Sequence, residues 1–93
     1  MSHMHVVYLI QNSSSKEVYV GQTNNLARRL RQHNEGSNYS THRKKDGEWV
    51  LIYAEAYRAK EDATSREAKL KQCGSAKHWL SKRLARSLLQ AQR

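Results

Sequence analysis

The chain has 93 residues, and 17 Lys and Arg against 8 Asp and Glu give it a net charge of +9. That length suits one domain, and a chain so short buries only about 60–65% of its unfolded surface, so its functional side chains must share one face. A hydrophobic content of 38% with 27% charged residues excludes a disordered polyelectrolyte, and no run is long and apolar enough for a membrane-spanning helix.

A surface this basic suits a polyanion. The excess is uneven: Ala68 to Arg93 holds no acid, while Lys69, Lys71, Lys77, Lys82, Arg83, Arg86 and Arg93 are basic. A solubilising surface is the bland alternative. Cys73 is the single cysteine, which rules out an internal disulfide and points to a reducing, cytoplasmic setting. Ser2-His3-Met4 reads as a cloning remnant before a native start, so residues 1–4 are set aside and 5–93 are taken as a single domain.

In chain order, His5 to Asn12 is apolar and rich in β-branched residues, as a strand is. Asn12 to Ser15 is a turn cluster, and Glu17 to Gln22 reads as the second strand of a hairpin. Thr23-Asn24-Asn25 offers helix caps before Leu26, Leu30 and His33, which recur at helical spacing, and Gly36 is a natural stop. Ser37 to Gly47 is polar and reads as a loop. Glu48 to Tyr57 alternates as a third strand, Ala59 to Gln72 is a charged helix, and Ser75 caps a last helix carrying Leu80, Leu84, Leu88 and Ala91. The expected fold is α+β: a small three-stranded antiparallel sheet flanked by helices, in the order ββαβαα.

Several residues invite two readings. Arg29 and His33, four apart, share a helix face and suit a phosphate, or a solvated surface. Glu67 lies beside the apolar stripe of its helix, either as a metal-binding carboxylate or as an exposed Glu67–Lys71 pair. Tyr8 and Tyr19 fit strand packing, and Gly21 marks a turn or a close approach. Trp49 reads as core. Tyr39, His42, Arg43, Lys44 and Lys45 suit a solvated loop or a substrate groove, with Tyr39 stacking on a base. Cys73 and scattered histidines fall short of the roughly four paired ligands of a structural zinc site.

Together these pieces resemble the GIY-YIG nuclease superfamily, in its small stand-alone bacterial form and in the N-terminal domain of the bacterial excision-repair nuclease. The residues that carry the resemblance are Val6-Val7-Tyr8, Tyr19-Val20-Gly21, the run from Thr23 to His33, the helix Arg66 to Lys71, and Gly74 with Trp79-Leu80. Val6 stands where the superfamily name has glycine, and no asparagine follows the glutamate helix between Lys71 and Trp79. The resemblance implies a metal-dependent endonuclease acting on nucleic acid, with DNA expected and DNA repair as a setting. It implies Tyr8 beside the attacking water, Tyr19 positioning water or phosphate, Arg29 and His33 at the phosphate, and Glu67 holding one Mg²⁺ or Mn²⁺. Tyr8, with a free pKa of about 10, would then need that pKa depressed in order to act as a base. Tyr39, His42, Arg43, Lys44, Lys45, Lys69 and Lys71 are the expected nucleic-acid contacts. The alternative is a binding module with little or no catalysis, favoured by the missing asparagine. A protein-interaction domain using Trp79 is a third reading.

Overall fold

The computed structural model describes residues 4–35, 47–72, 82–84 and 86–87. Its elements are β1 (His5–Asn12), β2 (Val18–Thr23), α1 (Leu26–Glu35), β3 (Trp49–Tyr57) and α2 (Lys60–Gln72). The last expected helix falls largely outside the described residues. The three strands form one antiparallel sheet in the order β2-β1-β3. This is the expected α+β arrangement, with boundaries moved by a residue at β2, β3 and α2.

β1 is central because its side chains are apolar on both faces. Val7 and Leu9 point to one side and pack with Val20, Ala63, Leu70 and Leu84. Tyr8 and Ile10 point to the other and pack with Trp49, Tyr19, Leu26 and Leu30. The sheet therefore lies between α2 on one face and α1 on the other. The turn after β1 closes on Asn12, whose Oδ1 accepts hydrogen bonds from the Ser14 and Ser15 amides at 2.9 and 3.0 Å. α1 is capped by Asn25, whose Oδ1 accepts the Arg28 amide at 3.1 Å.

β3 departs from simple alternation. Leu9 pairs with Tyr53 but Ile10 pairs with Leu51, leaving Ile52 as an extra residue in a β-bulge. A one-residue slip reverses which face each side chain meets. Trp49 consequently faces α1, while Tyr53, Glu55 and Tyr57 face α2, although all four are odd-numbered.

On the α2 side, Glu55 is a node. Its carboxylate accepts the Tyr53 hydroxyl at 2.7 Å and the Tyr57 hydroxyl at 2.5 Å, together with Arg66 Nε at 2.9 Å and Nη2 at 3.1 Å. Burial opposes its charge, but Arg66 and the two phenols outweigh that and hold the carboxyl below its ordinary value. The node ties α2 to β3 at Arg66, the residue before Glu67. Glu55→Ala leaves a guanidinium and two phenols without their acceptor. It should lower stability by roughly 1–3 kcal/mol in chemical denaturation, with Glu55→Gln closer to wild type.

Candidate active site

The α1 face of the sheet carries a tyrosine pair and a histidine in contact. Tyr8 on β1 lies directly opposite Gly21 on β2. A Cβ at Gly21 would come within 2.6 Å of Tyr8 Cζ and 3.0 Å of a Tyr19 ring carbon. Glycine is needed there because the Tyr8 ring lies across the neighbouring backbone. The close approach anticipated at Gly21 is thus a side chain of the same protein. Gly21→Ala must displace the Tyr8 ring; its expected signature is altered near-ultraviolet circular dichroism together with a stability loss of roughly 1–3 kcal/mol.

The ring places its hydroxyl against α1. Tyr8 Oη and His33 Nε2 are 2.8 Å apart, and His33 is only 2% exposed. The Tyr19 and His33 ring centroids are 5.0 Å apart, the Tyr8 and Tyr19 centroids 6.3 Å, and Trp49 closes the far side of His33 at 6.4 Å. Trp49 is buried, as its place in the sequence implies. Asn34, to which the sequence alone assigns no role, fixes this end of α1. Its side-chain amide accepts from the Trp49 amide at 2.7 Å and donates to the Trp49 carbonyl at 3.1 Å. An asparagine near a helix end gives no sign of this role until its partner strand is known.

Charged groups meet at the same phenol. Burial pushes the Tyr8 pKa up from 10.0 to about 12; Tyr19 adds to this, Arg29 opposes it, and the Glu67 carboxylate adds to it again. Burial pushes His33 down from 6.5 to about 4, and the Arg29 guanidinium adds to that. At neutral pH Tyr8 therefore keeps its phenolic proton and His33 is uncharged. The depressed tyrosine pKa expected for a base is the reverse of what burial imposes.

Glu67 comes from α2, which packs on the other face and reaches the site past β2, the edge strand. Its Oε2 is 2.8 Å from Lys71 Nζ, and that ammonium lies 5.7 Å from the Tyr19 ring centroid. The Glu67–Lys71 pair is therefore formed, and the Glu67 charge also raises the Tyr8 pKa. Among the described residues no three His, Cys, Asp or Glu side chains gather as a metal cage. A single carboxylate such as Glu67 suits a hard ion such as Mg²⁺, which retains several waters. A polar cleft of about 60 Å³, lined by Thr23, Asn24, Asn25, Arg28, Arg29 and Gln32, opens beside Arg29. The structure thus brings Tyr8, Tyr19, Arg29, His33 and Glu67 to one place. Lys69 and Lys71 are exposed on α2. Tyr39, His42, Arg43, Lys44 and Lys45 lie outside the described residues.

Residues 4–84 match the GIY-YIG catalytic domain. The chain belongs to the GIY-YIG family. The GIY-YIG domain is a nuclease domain, and GIY-YIG nucleases act on nucleic acid. The chain is also similar to the solution structure of a UPF0213 protein from Bacillus halodurans, with a TM-score of 0.55 and 26% identity over 85% of this chain and 83% of that one. A comparison with curated proteins finds no match. No helix among the described residues is long and apolar enough to cross a membrane.

The buried neutral histidine has a consequence for stability. The unfolded chain takes up a proton near pH 6.5, whereas folded His33 resists it until about pH 4. Its contribution is therefore fully present above pH 6.5 and is lost as pH falls towards 4. Over that window His33 should account for up to about 3 kcal/mol of destabilisation. Denaturant titrations at pH 7 and pH 4.5 should show that loss in wild type and much less of it in His33→Gln.

Proposed function

We propose that this GIY-YIG domain is a metal-dependent endonuclease that hydrolyses phosphodiester bonds in DNA. The observation that carries the reading is the buried Tyr8–His33 hydrogen bond of 2.8 Å, with Arg29 and Glu67 both acting on the same phenol.

The resting pKa values dictate how such a pair works. A phenol held near 12 is not a phenolate at neutral pH, so Tyr8 serves as a relay. A water attacking phosphorus gives its proton to Tyr8 Oη while the phenol's own proton passes to His33 Nε2. This needs His33 neutral with Nε2 unprotonated, and burial beside Arg29 keeps the ring neutral. Tyr19, in edge contact with His33, holds the ring and borders the water's approach. Arg29 binds the phosphate oxygens through a planar guanidinium, which matches them in a way an ammonium does not. Glu67 holds one Mg²⁺ or Mn²⁺, which when bound supplies positive charge to the phosphate and the leaving oxygen. Lys69 and Lys71, together with Tyr39, His42, Arg43, Lys44 and Lys45, grip the backbone through phosphate contacts, so binding is salt-sensitive and weakly sequence-specific.

The test is cleavage of labelled single-stranded, duplex and branched DNA, and of RNA, with Mg²⁺ or Mn²⁺. Wild type should nick or cut at least one DNA substrate. Glu67→Ala, Arg29→Ala and Tyr8→Phe should each lower the rate by about 100-fold or more while still binding DNA. Binding without cleavage by wild type under every condition would leave a nucleic-acid-binding module instead.

A further inference from the structure

We propose that Lys71 occupies the Glu67 carboxylate in the free protein and is handed to a substrate phosphate when a divalent ion takes that carboxylate. The inference rests on the reading above that Glu67 holds the ion. It adds that metal and nucleic acid bind cooperatively, and that Lys71 links the two.

The geometry has three parts. Lys71 Nζ is 2.8 Å from Glu67 Oε2, in the helix spacing and orientation that favour the pair. The same ammonium lies 5.7 Å from the Tyr19 ring centroid, so it leans into the site. The side chains are unequal in freedom: Glu67 is 21% exposed and Lys71 50% exposed. The carboxylate is held and the ammonium, on a flexible stem, is able to leave it.

Electrostatics makes the two cations rivals. An ammonium at hydrogen-bond distance from Oε2 stands within a few ångströms of any ion on that carboxylate, where like charges repel. In the free protein a divalent ion must therefore displace Lys71. Arg29 already adds positive charge around Tyr8, so the displaced ammonium gains nothing by staying. A nucleic-acid strand changes this, because its phosphates offer Lys71 a new anion. Each ligand then removes a cost from the other, and the linkage is reciprocal.

The experiment is a Mn²⁺ titration of the full chain without nucleic acid, read from the electron-spin-resonance signal of free Mn²⁺. Lys71→Met should bind Mn²⁺ roughly two- to fivefold more tightly than wild type, the range expected for removing a partly exposed pair of this kind. Lys71→Arg, which keeps the charge, should stay within about twofold of wild type. With Mn²⁺ present, Lys71→Met should also lower the salt slope for binding a short DNA by about one. Equal or weaker Mn²⁺ binding by Lys71→Met, or no binding by either protein, overturns the proposal. Loss of Mn²⁺ binding in Glu67→Gln supports the underlying site. Unchanged binding there would show that the ion sits elsewhere, a failure of the metal assignment that is distinct from a failure of the Lys71 exchange.

Discussion

The buried hydrogen bond between Tyr8 and His33 sets the terms for the rest of the structure. It joins the central strand to α1 through two polar atoms that have left water, and each would be costly to bury alone. Keeping it at 2.8 Å requires a glycine at position 21, so that the tyrosine ring can lie flat across β2. It also requires α1 to stay in register with β3, which the Asn34 amide secures through the Trp49 backbone. The paired motifs that define the family are thus two halves of one packing arrangement.

That arrangement creates an uncharged centre inside a protein of net charge +9. Burial drives the phenol and the imidazole away from ionisation in opposite directions, and Arg29 lies beside both. Groups so mismatched do not exchange a proton spontaneously. They do so when something outside the pair stabilises the product, and an anionic substrate with its counter-ion is what the surrounding Arg29, Glu67 and Lys71 suit.

Much of this was legible in the sequence. The run from His5 to Asn12 is apolar at successive positions, as a strand buried on both faces is, and it proves to be the central one. The caps at Thr23 and Asn25, the spacing of Arg29 and His33, and the odd position of Glu67 all led to one site. Other features were hidden because they depend on partners distant in the chain. Asn34 acquires meaning only from Trp49, and Glu55 only from Arg66. The direction of the Tyr8 pKa follows from burial, which local sequence does not report. The bulge at Ile52 was invisible because β3 alternates smoothly on paper.

That bulge divides β3 into two segments with separate allegiances. Residues before Ile52 belong to the Tyr8–His33 cluster, since Trp49 backs His33 and clasps Asn34. Residues after it belong to the scaffold, where Glu55 gathers two phenols and Arg66. A single strand thereby supports the cluster from both faces of the sheet. Substitutions in the Tyr53 to Tyr57 half change how α2 sits, and through Glu67 that change reaches Tyr8 from the opposite face.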